Sequence, residues 1–225
     1  MGTPEHFSYD IPGRCLKLID QLMSKVRETT IPGNEGAGPL TTTFLLAMAT
    51  PMIILPVERI FLPTGHDDLE YADDTQINQN VTGEVKRVMG LKLRKAPFFH
   101  GQSWSYASRP LGTVKLADGL DDQLCVELND AVAFKSAASM DTSQIVMCLR
   151  NSLAHGGVAY LNGNGFHAVN EPTKMLAFVS YKRKSGERVG VNILRIDEEG
   201  FLGFLRDWSR WLEDTGLARE IQLAA

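Results

Sequence analysis

Arg150, Asn151 and His155 are the residues of this chain whose types and spacing could do chemistry together. An imidazole titrates near pH 6.5, so it can take or give a proton at about neutral pH. A guanidinium stays charged, and its planar fork can hold two oxygens of an anion, which an ammonium cannot do. Asn151 would orient either partner through a neutral hydrogen bond. All three fall near the end of the stretch Asp141 to Gly157, Asp-Thr-Ser-Gln-Ile-Val-Met-Cys-Leu-Arg-Asn-Ser-Leu-Ala-His-Gly-Gly. That stretch predicts a helix. Asp141 is placed to cap it, with Gln144 closing a capping box. Ile145, Val146, Leu149 and Leu153 recur at helical spacing as one apolar stripe. Gly156 and Gly157 can take the left-handed conformation that ends a last turn. Asn151 and His155, four apart, then stack on one face with Arg150 beside them. The competing reading is a cap, because Arg and His near a helix C-terminus also meet the negative end of the macrodipole.

The run Arg-Asn-Ser-Leu-Ala-His-Gly, with Asn next to the Arg and His four residues further on, resembles the signature of the HEPN superfamily. The segment Thr41 to Ile60 is similar to the second conserved block of a bacterial HEPN subgroup found on plasmids and chromosomes. The resemblance implies a helical bundle and a metal-independent endoribonuclease, several relatives being toxins or defence proteins. It implies RNA as substrate, no cofactor, and a homodimer that pairs two motif helices in one composite site. An antitoxin or other regulatory protein is the further partner it suggests. In that chemistry the ribose 2′-OH attacks the adjacent phosphate. His155 would handle the proton, Arg150 would stabilise the phosphorane, and Asn151 would orient one of them. One toxin branch carries a tyrosine two residues after the His, modified by a partner nucleotidyltransferase. Here that position is Gly157, so this regulation is not carried over. An RNA- or nucleotide-binding protein without cleavage, and a structural protein whose polar triplet only caps a helix, are the alternatives.

At 225 residues the chain is expected to form a single domain, 1–225, with a large core. Its composition, 44% hydrophobic and 22% charged, is that of an ordinary soluble globular protein. A net charge of −4 argues against a broadly basic surface but allows a local basic cleft. Cys15, Cys125 and Cys148 are far apart and odd in number, which reads as reduced core cysteines of a cytoplasmic protein. The first residues hold no apolar signal core.

The helices that must position the triplet are read from their stripes. Residues 13 to 28 give a first helix, with Cys15, Leu18, Ile19, Leu22 and Val26 in register. A loop rich in Pro and Gly follows, from Ile31 to Pro39. Thr41 to Ile60 is apolar all round, shorter than a membrane span needs and interrupted by Pro51 and Pro56. It therefore reads as a buried central helix, kinked or split at the prolines. Glu58 and Arg59 read as an ion pair or cap closing that helix, apart from the triplet. His66 to Glu70 with Asp73 and Asp74 match no metal-ligand spacing and read as solvated.

Lys86, Arg87, Lys92, Arg94 and Lys95 precede Phe98, Phe99, His100, Trp104 and Tyr106, a pattern that could guide RNA but reads better as a loop whose aromatics pack on the core. A third helix is expected from about Asp121 to Ser136, with Leu124, Leu128, Ala131 and Val132 in register. After Gly157 the period changes. Val158 to Leu161 and Phe166 to Val169 read as a hairpin around Asn162-Gly163 and Asn164-Gly165, with His167 structural or exposed. Strands follow at Lys174 to Tyr181 and Arg188 to Ile196. Asp197 caps a last helix with Phe201, Phe204, Leu205, Trp208 and Leu212 inward and Gly216 at its end. The expected fold is mainly α, a HEPN-like helical bundle with a small antiparallel β insertion at 157–196 before the last helix.

Overall fold

The computed structural model describes residues 7–62, 79–101, 103–167 and 170–217. The acidic run from His66 to Asp74 lies outside them. Its central element is α2, Thr41–Pro56, which carries no acidic or basic residue. It packs on α1 (Phe7–Arg27), α6 (Thr142–His155) and α7 (Glu198–Leu212), consistent with an apolar helix in the middle of a layer.

The prolines of α2 act differently from expectation. The helix runs through Pro51 unbroken, and after Pro56 it continues as a π-helical turn, Val57–Phe61. Pro56 has no N–H to give to the carbonyl of Met52, four residues back. That carbonyl instead accepts from the indole Nε1 of Trp208 at 2.8 Å. By length and composition Thr41–Phe61 is long and apolar enough to cross a membrane, contrary to the shorter, interrupted run expected, and 39% of its apolar window is buried inside the protein.

The largest correction concerns the sheet. Strands β1 (Ser105–Arg109), β2 (Val158–Leu161), β3 (Met175–Lys184) and β4 (Glu187–Asp197) form one antiparallel sheet in the order β1-β4-β3-β2. The fold is mixed α/β, 57% helical and 17% strand, not a mainly helical bundle with a small insertion and not all-α. The physical reason is that both sheet faces are buried. Leu176, Phe178, Leu194 and Ile196 join the main core with α2, α6 and α7. Ala177, Val179, Val191 and Ile193 face a second core under α4 (Asp122–Asn129). A sheet covered on both faces is a layer of the fold. Its edge strand β1 comes from far outside 157–196 and pairs with β4 from Ser105↔Arg195 to Arg109↔Val191.

Local differences have local causes. The expected third helix is two, because Asp130 breaks it and caps α5 (Ala131–Ser139) by accepting from the N–H of Val132 at 2.7 Å. Val132, expected inward, is 67% exposed as a result. The partner of β2 is β3, in register Val158↔Phe178, and the expected second hairpin strand lies partly outside the described residues, at 168–169. The β3–β4 turn places Ser185 and Gly186 at φ +50° and +85°, the pair of positive φ values that a two-residue primed hairpin needs. In α1, Cys15 and Ile19 face the core, whereas Leu18 and Leu22 are exposed.

The last helix follows its sequence closely. The Asp197 carboxylate accepts from the N–H of Gly200, and Phe201, Phe204, Leu205, Trp208 and Leu212 are all buried. Beyond Leu212 the winding changes to a π turn, Glu213–Leu217, so Gly216 does not end it. Phe98 and Trp104 pack on this helix, Phe98 5.1 Å from Trp208 and Trp104 5.3 Å from Phe204, as a loop with inward aromatics requires. All three cysteines are free and buried.

Candidate functional site

Helix α6 is held at both ends, and that fixes the triplet. At its start the expected capping box does not form. The Asp141 carboxylate accepts instead from Lys92 Nζ at 2.8 Å. Thr142 donates its N–H and its hydroxyl to the carbonyl of Leu91, and Leu93 donates to that of Met140. At its end Gly156 takes the left-handed conformation, φ +67°, as the sequence implies. Gly157 then packs so closely on β3 that a Cβ there would lie 2.2 Å from the carbonyl oxygen of Val179. The N–H of Val179 donates to the Gly157 carbonyl at 2.7 Å, joining helix end and sheet.

Arg150 is half-buried and oriented by two partners. Its Nε and Nη2 face one carboxylate oxygen of Glu58, and its Nη1 donates to Oδ1 of Asn151 at 2.7 Å. A guanidinium has five N–H donors and no acceptor. Among the described residues three are engaged, which leaves one donor on each of Nη1 and Nη2 without a partner there. Because Arg150 can only donate, the Asn151 oxygen must be the atom facing it, and the Asn151 amide N–H groups are left pointing elsewhere.

Glu58 stands on the π turn that follows Pro56. Sequence reading set it apart from the triplet, and the structure joins it to Arg150. No local signal links the two, since the contact spans 92 positions. His155 lies one turn beyond Asn151 and is exposed. Among the described residues, no hydrogen bond or ion pair ties it to Arg150, Asn151 or Glu58. The structure thus brings Arg150, Asn151 and Glu58 into contact and leaves His155 beside them.

Asn151 also lines a cleft of about 510 Å³ between α6 and the sheet. Gln144 and Met147 continue its helical wall, and Tyr106, Ser180, Lys182 and Asn192 come from three strands. Sequence reading missed this cleft because β1, which supplies Tyr106, was read as loop. Tyr106 donates its hydroxyl to Oδ1 of Asn192 at 2.9 Å. Burial raises the Tyr106 phenol and pushes the Cys148 thiol up to about 11, so both stay neutral around pH 7. Among the described residues the charge on the cleft lining comes from Lys182 and Arg183, with no carboxylate there. Among the described residues no group of three or more His, Cys, Asp or Glu is placed to hold a metal ion.

No family model, curated protein or solved structure matches this chain.

Proposed function

We propose that this protein is a HEPN-type, metal-independent endoribonuclease acting through Arg150, Asn151 and His155. The observation that carries the reading is the state of Arg150. Its guanidinium is fixed by Glu58 and Asn151, keeps on each Nη a donor without a partner among the described residues, and precedes the exposed imidazole of His155 by five residues, about 1.4 helical turns. In this reading a phosphodiester seats on those two donors and His155, of the same or a second copy, reaches its neighbouring ribose. The imidazole would take the 2′-OH proton as that oxygen attacks phosphorus, and the departing 5′ oxygen would need a proton in turn. The extra negative charge of the phosphorane would fall on the guanidinium, which is already oriented and needs no rearrangement at the moment of reaction. General acid–base help of this kind is worth about 10² to 10⁴ in rate.

One imidazole cannot serve both oxygens at once, so the reading includes a homodimer in which a second copy brings another His155 to the same cleft. Incubation of purified protein with tRNA and mRNA pools in EDTA tests it. Products ending in 2′,3′-cyclic phosphate, lost in His155→Ala, are expected. RNA retained intact by the wild type would replace the enzyme with a binding protein.

A further inference from the structure

We infer that the cleft between α6 and the sheet is a subsite for one nucleotide of a single-stranded RNA, next to the scissile phosphate. This rests on the RNA reading of the Arg150 site, to which the cleft is joined through Asn151. Three features of the cleft point to such a ligand.

The first is charge. The chain carries a net −4, yet among the described residues the cleft is bordered by Lys182 and Arg183 and by no acid. Lys182 and Arg183 are consecutive on β3, and in a regular strand they would point to opposite faces. The pairing of β3 with β4 slips between these two residues. The extra residue of that slip is Val189 on β4, between the partners of Lys182 and Arg183, and both cations border the same cleft. Among the described residues Lys182 Nζ meets only the Ser108 hydroxyl, at a long 3.4 Å, which leaves it able to take a phosphate.

The second is size and surface. About 510 Å³ falls within the range of about 300–1,000 Å³ that small-molecule sites occupy, and a nucleotide belongs to that class. Tyr106 and Met147 give the cleft apolar and aromatic surface against which a base can lie.

The third is hydrogen-bond polarity. The Asn151 oxygen is committed to Arg150, so this amide offers only N–H groups to whatever lies in the cleft. Donors suit a base edge that carries a carbonyl oxygen. Uracil, guanine and cytosine carry one, and adenine offers its ring nitrogens as acceptors instead, so the subsite takes any of the four bases.

The test uses fluorescent 2′-O-methyl oligonucleotides of five uridines or five adenosines, which cannot be cleaved by 2′-OH attack. The wild type is expected to bind both strands. Lys182→Ala with Arg183→Ala should weaken that binding at least ten-fold and reduce the slope of log K against log salt by about 1.4, the release expected for two phosphate contacts on a single strand. Lys182→Ala alone, at an exposed position, should give about half the slope change without loss of fold by circular dichroism. Unchanged binding in the double variant, or no binding of either strand by the wild type, overturns the subsite. Cleavage abolished by His155→Ala but indifferent to Lys182 and Arg183 would sink the subsite and leave the nuclease. Lys182-dependent binding of the uridine strand without cleavage of any RNA would do the reverse.

Discussion

The carboxylate of Glu58 grips Arg150 through Nε and Nη2 of one guanidinium, joining the end of the central helix to the end of the motif helix. The two side chains are 36% and 23% exposed. An ion pair this accessible contributes at most about 1 kcal/mol to folding. Its effect on chemistry is larger, because without it Arg150 is held only by Asn151.

Glu58→Ala should therefore lower the unfolding free energy by no more than about 1 kcal/mol. The same variant should cut kcat/KM on RNA by about 10- to 100-fold, the range that misplacing a positioned group costs. Glu58→Gln keeps an oxygen for Nε and should fall between. Thermal melts beside cleavage rates check both. A large loss of stability with intact cleavage would make Glu58 a structural brace only.

Gly157→Ala is expected to destabilise the protein by about 1–3 kcal/mol or more, the cost of forcing atoms into a filled space. The added carbon would lie 2.2 Å from the Val179 oxygen, and both are backbone-anchored. Urea unfolding measures this. The same contact leaves no room for a tyrosine two residues after the histidine.

Alkali should unfold the protein partly through Cys148. Burial raises its thiol pKa from 9.0 to about 11. The folded value lies above the unfolded one, so the contribution is complete below about pH 9 and is lost as pH rises through about 11. Urea midpoints measured across that window should fall more steeply for the wild type than for Cys148→Ala. Equal slopes would show that the thiol is not sealed.

Light scattering at micromolar concentration should give about twice the chain mass of 24.9 kDa. Mixing Arg150→Ala with His155→Ala should restore part of the cleavage that each lacks, because the proposed two-fold interface would bring both helices to one site. A monomer that cleaves at full rate would remove the composite site.

Much of this was legible in the chain because it is local. Asp197, the inward face from Phe201 to Leu212, and Gly156 each act on neighbours three or four residues away. What was not legible depends on contacts far along the chain. Glu58 reaches Arg150 only because the π turn after Pro56 aims it there. Ser105–Arg109 is five residues long and half polar, and it becomes a strand only because the edge of β4 is waiting for it. The helical expectation fails for the same reason. The period-two pattern after Gly157 was visible, but whether it decorates a bundle or builds a layer depends on what covers its second face, and α4 covers it.

The bond from Trp208 to Met52 also constrains the order of synthesis. Met52 lies in the first quarter of the chain, and the indole that satisfies its carbonyl is made 156 residues later. While the intervening residues are being added, a 21-residue apolar helix is out of the ribosome without its last covering helix. The nascent chain therefore has to be shielded, by a chaperone or by its own provisional collapse, until α7 emerges and closes the core.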